Sequence, residues 1–215
     1  MTRDEIISLV QGRMTRTDNT AYAVLEIQAA QRELEQGPYL PWFLAYVKTD
    51  LYTIAQIDTL AVPTGFIREL DEEGSGLWRI DETTDPSTDT RLRKYVSHGD
   101  MIDGYKGEDY NVPEAYSLID GYYRFRPKPD AAYRLGALFY KADTVLTSDG
   151  TNLWTTNAPD LLAARLGMLL TRYDADKTLH DMFLQDYNQA MARLQVFDES
   201  RRQAGFDAIM GGDDL

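Results

Sequence analysis

The sequence predicts an α+β fold: an antiparallel helical bundle, of two N-terminal and two C-terminal helices, carrying an inserted antiparallel β-rich domain. Three observations lead there. Apolar residues recur at helical spacing towards both ends of the chain, the period changes to two in the middle, and the clearest hairpin signal, Asp120-Gly121, lies in that middle stretch. The boundaries read as 1–38 for the first helices, 39–153 for the insertion, 154–206 for the second helices and 207–215 for a flexible acidic tail. Amphipathic helices at the two ends of a chain bury their stripes against each other.

Thr2-Arg3-Asp4-Glu5 fits a capping box, with Thr2 at the N-cap and Glu5 reaching back. Ile6, Ile7, Val10 and Met14 follow as a narrow stripe. Asp18-Asn19-Thr20 restarts the chain, and residues 21–36 are rich in good helix formers until Gly37-Pro38 stops them. Two stripes run along that second helix, one through Tyr22, Leu25 and Ala29, the other through Val24, Ile27, Gln31 and Leu34.

Residues 43–47 and 52–57 alternate as strands, and residues 77–80 form a short strand inside a polar loop over 71–89. Residues 91–114 fit a helix and a meander equally. Residues 115–119 and 122–126 flank Asp120-Gly121, whose positive φ values a type I′ turn requires. A third strand over 133–140, with Tyr133, Leu135, Ala137 and Phe139 on one face, completes an expected meander. Asn157 reads as the N-cap of the next helix, with Pro159 and Asp160 in its first turn. That helix buries Leu162, Leu166, Leu169, Leu170 and Tyr173. After Asp174-Ala175-Asp176 a last helix carries Leu179, Phe183, Tyr187, Ala190, Leu194 and Phe197, ending between Arg202 and Phe206.

Composition excludes several functions. The chain has 215 residues, enough to bury roughly 70% of its unfolded surface without staples. Zero cysteines rule out disulfides, thiolate zinc sites and Cys nucleophiles. No apolar run suits a membrane span, and Met1 to Glu5 lack a signal-peptide layout, so an intracellular, soluble protein is expected. The net charge of −13 opposes nucleic-acid or anionic-membrane binding as the main task.

Chemistry is hard to find. His98 and His180 are the only histidines and show no ligand spacing; two ordinary surface histidines are the simpler reading. The stretch 143–154 puts Gly150 at its eighth place and lacks the closing Glu of an EF-hand. Phosphate loops, dinucleotide fingerprints and nucleophile elbows are absent. No cofactor, metal or catalytic residue is expected, and the protein reads as a non-enzyme. Arg124, Arg126, Lys128 and Arg134 alternate with aromatics on one side of the meander: a patch for an acidic partner or polyanion, or the wet face of a sheet.

Residues 122–143, with Trp154-Thr155-Thr156-Asn157-Ala158-Pro159-Asp160-Leu161-Leu162 after them, resemble the head–tail adaptor (connector) proteins of tailed bacteriophages. Leu60-Ala61-Val62-Pro63-Thr64-Gly65-Phe66-Ile67 is similar to that family's Leu-Pro-x-x-Phe stretch. The clear likeness covers 115–170 and rests on packing and turn residues. It implies a structural virion protein of the neck, made in the host cytoplasm. Its partners would be the portal protein above, tail or nozzle proteins below, and itself in a ring of about twelve copies. DNA would pass through the channel without sequence-specific binding, aided by the negative charge. Candidate partner residues are Arg193, Arg201, Arg202, Phe206 and Leu215 at the C-terminus, with Arg124 and Arg126 on the insertion. Another neck or tail-tube protein is the near alternative; a ligand-binding module on the tyrosine-rich strands, or a hydrolase, are the distant ones.

Overall fold

The computed structural model describes residues 1–14, 20–70, 76–80, 89–104, 110–174 and 176–210, with the backbone alone at 173–174 and 202–210. It contains helices and mixed sheets and divides into two compact units, Met1–Leu44 with Asp143–Leu215, and Ala45–Ala142.

The helical unit contains α1 (Arg3–Met14), α2 (Thr20–Glu35), a 3₁₀ turn (Trp42–Leu44), α4 (Leu153–Asn157), α5 (Pro159–Asp174) and α6 (Lys177–Met210). The capping box at α1 forms: Glu5 N–H donates to Thr2 Oγ1 at 3.3 Å, and Thr2 N–H donates to Glu5 Oε2 at 2.8 Å. Ile6, Ile7, Val10 and Met14 are buried, as their spacing predicts. On α2 only one of the two stripes goes inside. Ile27, Gln31 and Leu34 are buried, whereas Leu25 is 63% exposed. Helix α5 packs against α1, α2 and α6.

Three local expectations are corrected. Asn157 does not cap α5: its side chain donates to the Leu153 carbonyl and closes α4, which Asn152 caps, and Ala158 accepts the first bond of α5 from Leu162. On α6 the buried stripe passes through Phe183, Ala190, Leu194 and Asp198, so Phe197 stands outside at 53% exposure. Tyr39 draws Asp198 in, its hydroxyl donating to Oδ2 at 2.7 Å. Helix α6 also continues to Met210, past the expected end between Arg202 and Phe206, with the helix formers Ala208 and Met210 following Gly205 and Asp207. The cap residues Asp18 and Asn19, and Ala175, lie outside the described residues. So do residues 71–75 and 81–88 of the expected polar loop.

The β unit contains β1 (Ala45–Tyr52), β2 (Thr59–Ala61), β3 (Phe66–Glu69), β4 (Gly76–Arg79), β5 (Thr90–Arg91), β6 (Arg93–Tyr95), α3 (His98–Gly104), β7 (Tyr110–Asn111), β8 (Ala115–Ile119), β9 (Tyr122–Arg126), β10 (Lys128–Pro129) and β11 (Arg134–Lys141). One sheet runs β1-β11-β4-β5, with β3 also on β11; a second runs β2-β9-β8-β6, and β10 with β7 forms a two-stranded third. Leu51, Leu77, Leu135, Ala137 and Phe139 from the first sheet share one core with Tyr116, Tyr123 and Phe125 from the second. Strand β11 approaches Trp78 so closely that a Cβ at Gly136 would overlap the indole.

The β8–β9 hairpin turns at Asp120 (φ 51°) and Gly121 (φ 77°), as the sequence predicts. The expected meander does not follow. Pro127 and Pro129 offer no N–H to extend the ladder, and Lys128–Pro129 pairs instead with Tyr110–Asn111. Tyr133 N–H then donates to Thr53 Oγ1 at 2.8 Å, so β11 enters the other sheet beside β1. Nor is the pairing wholly antiparallel: β6 with β8, and β7 with β10, run parallel. Residues 43–57 hold one strand rather than two, because residues 54–57 form a turn closed by Ile57 N–H on the Ile54 carbonyl at 3.1 Å.

Candidate functional site

On the β unit, strand alternation sends Tyr123 and Phe125 of β9 into the core, leaving Tyr122, Arg124 and Arg126 on the opposite face. Helix α3 packs against β8, β9 and β6 and buries Met101 completely. His98 begins that helix. Burial lowers its pKa first, the neighbouring Arg124 and Arg126 lower it further, and Asp58 pulls it back up in part. The four basic residues expected on one side of a meander are therefore divided. Lys128 stands over the Tyr110 ring at 5.7 Å, and Arg134, in the other sheet, donates from Nε to the Thr49 carbonyl at 2.8 Å.

On the helical unit, Arg193 is exposed on α6. It lines a groove of about 290 Å³ against Pro159, Asp160 and Phe197. The same arginine and Asp160 reach a second depression, of about 170 Å³, beside Arg13 and Asp186, which pair at 2.6 Å. Arg201 sits eight positions further along the helix, with its guanidinium 3.6 Å from the centre of the Trp42 ring. Arg202 and Phe206 fall on α6 where only the backbone is described, and Leu215 lies outside the described residues. The expected partner residues thus form two separate groups, one in each unit.

His98 and His180 belong to different units, and no cluster of three His, Asp or Glu side chains suited to a metal occurs among the described residues. The Asp143 carboxylate instead accepts from the backbone N–H of Leu153 at 2.6 Å. A family model described as SU10 adaptor protein matches residues 1–208. The chain belongs to this family of phage adaptors.

The match spans both units of the adaptor and most of α6. No curated protein matches the chain. Membership makes the adaptor a structural component of a phage virion that associates with other capsid or tail components. No helix among the described residues is long and apolar enough to cross a membrane.

Two polar centres of the adaptor escaped the sequence reading. Glu35 Oε1 accepts from Gln31 Nε2 at 3.0 Å, Asp143 N–H at 3.1 Å and Trp154 Nε1 at 3.0 Å, while the Trp154 ring meets Phe43 edge-on at 5.1 Å. This knot fastens α2 to the segment where the chain returns from the β unit. The Gln31/Glu35 spacing of four is its only trace in the sequence. In the β unit, Glu69 is buried; its Oε1 accepts from the Tyr116 hydroxyl at 2.9 Å, and Lys94 Nζ stands 2.5 Å from its Oε2. Burial, and then the Glu69 charge, hold the Tyr116 and Tyr123 hydroxyls well above the usual tyrosine range. No local spacing marks Glu69, because its partners come from strands far away in sequence.

Proposed function

We propose that the adaptor forms a head–tail ring in the virion neck, about twelve copies around the DNA exit channel, joining portal protein to tail or nozzle proteins. The observation that carries this reading is the family match over residues 1–208. The helical unit is read as an antiparallel bundle of α1, α2, α5 and α6 with the β unit inserted between its halves. The charge of −13 per copy supports a channel that repels DNA phosphates and lets the genome slide without sequence-specific binding. The same repulsion opposes ring closure in solution, so the portal acts as the template.

Portal docking is assigned to α6 and the segment after it: Arg193, Arg201, Arg202, Phe206 and Leu215. The groove beside Arg193, with exposed Phe197 in its lining, supports an apolar contact rimmed by charge. The second surface, carrying Arg124 and Arg126 with exposed Tyr122 beside them and Ile102 on α3, is assigned to neighbouring copies or tail proteins.

Quantitative mass spectrometry of purified virus particles tests the reading. Copies near a dozen are expected, and absence from particles overturns it. Removal of residues 205–215 should weaken binding to isolated portal while the thermal transition stays in place. Unchanged binding would remove the α6 assignment and leave the ring.

A further inference from the structure

Within the second of these surfaces, under the cover of α3, one layer of the β unit holds donors without acceptors. On the outer face of β8 and β9, Ser117 and Arg124 are direct cross-strand partners, and Ala115 opposes Arg126. Helix α3 covers this face. Beneath it, three polar atoms are buried without a hydrogen-bond partner among the described residues: His98 Nδ1, Ser117 Oγ and Arg124 Nε. Ser117 is 0% exposed. Each of these atoms is able to donate, and Arg126 adds a second fixed positive charge. Leaving a buried donor unpaired costs about 1–3 kcal/mol, so three in one layer form a strong demand for an acceptor. The demand is also for negative charge: Arg124 and Arg126 push His98 towards its neutral form, and Asp58 only partly offsets them. A chain with 35 acidic residues has placed none of the described ones as acceptor to these atoms.

We propose that the layer between α3 and the β8–β9 ladder binds a free tetrahedral oxyanion of the phosphate or sulfate class, held by Arg124, Ser117 and His98 with Arg126 alongside. Such an ion offers several acceptor oxygens to the unpartnered donors of this layer and offsets the charges of Arg124 and Arg126. The burial of the donor atoms selects a small free ion over the phosphodiester of a polymer.

The chain's two histidines make the test, with His180 in the helical unit as the internal reference. Their imidazole proton resonances are followed against pH in sodium sulfate and in sodium chloride of equal ionic strength. Sulfate is used because its charge is constant across the titration. The His98 midpoint should rise by about one pH unit in sulfate while His180 stays put. Ser117→Ala, which removes one donor and little volume, should weaken the sulfate dependence about tenfold. Arg124→Gln should abolish it. Identical His98 curves in the two salts would overturn the proposal, as would a Ser117→Ala protein with unchanged sulfate dependence. A shift produced by a short single-stranded oligonucleotide but not by sulfate would equally overturn the free-ion site.

Discussion

In the helical unit, contacts begin from local patterns: α1 buries a stripe whose members lie three or four residues apart, and α5, buried around most of its girth, packs against α1, α2 and α6. In the β unit, one strand gathers neighbours from across the unit, since β11 pairs with β1, β3 and β4. The helical unit is nevertheless the discontinuous one. It is built from Met1–Leu44 and Asp143–Leu215, whereas the β unit is the unbroken stretch Ala45–Ala142. Local helices are thus closed by distant ends, and distant strand pairings are enclosed in one continuous segment. The lesson is that a helix-rich region is not automatically the early-folding one; contact distance has to be counted between elements as well as within them.

The largest expected effects test whether the two units are separate cores. Phe139→Ala in the β unit and Trp154→Ala in the helical unit should each cost about 3–5 kcal/mol. Calorimetry should show each lowering a different transition. A single transition lowered equally by both would break the comparison. Next comes the knot at Glu35. Glu35→Ala leaves the Trp154, Gln31 and Asp143 donors without their shared acceptor, an expected loss of about 1–3 kcal/mol read by denaturant unfolding of the helical transition. A loss confined to the β transition would contradict the division drawn here.

Smaller again is the cap at α6, where Leu179 N–H donates to Asp176 Oδ1 at 3.0 Å. Asp176→Ala should cost about 1 kcal/mol, measured in the same way. The smallest effect is one of pH. The folded pKa of His98 lies below its ordinary 6.5, so the unfolded chain binds the proton more readily. Stability should therefore be fully present above about pH 6.5 and fall as pH drops from there towards the folded value. His98→Gln should flatten this part of the profile in low-salt chloride, as seen in melts across the range.

How much of this was legible depends on where each cause resides. The capping box of α1 and the Asp120-Gly121 turn are short-range devices, and they form where their residues stand. The fate of Leu25 and Phe197 was not legible, since both fit an apolar helical pattern. A pattern says which residues share a face; it takes a partner such as Tyr39, hydrogen-bonded to Asp198, to decide which face turns in. Strand β11 was recognised with its inward face correct at Leu135, Ala137 and Phe139, yet its sheet was not. Two prolines and the Thr53 hydroxyl redirect it, and only the prolines are adjacent to it in the chain. Of the partner residues, the sequence supplied the charges and the family likeness, but not the Trp42 ring beneath Arg201 or the α3 cover over Arg124.

Ala45 and Tyr140 are opposed across β1 and β11, and Ala142 donates its N–H to the Gly65 carbonyl at 2.7 Å. The segment that leaves the helical unit therefore returns beside its own point of departure, with the Cα atoms of that opposed pair about 5 Å apart. For the helical unit, everything between the two points amounts to a short hairpin connection, whatever its internal size. Closure entropy grows only slowly with the length of a loop, and here the β ladder itself holds the ends together. A lineage can consequently enlarge, trim or replace the whole β unit as a cassette while the helices around it keep their register.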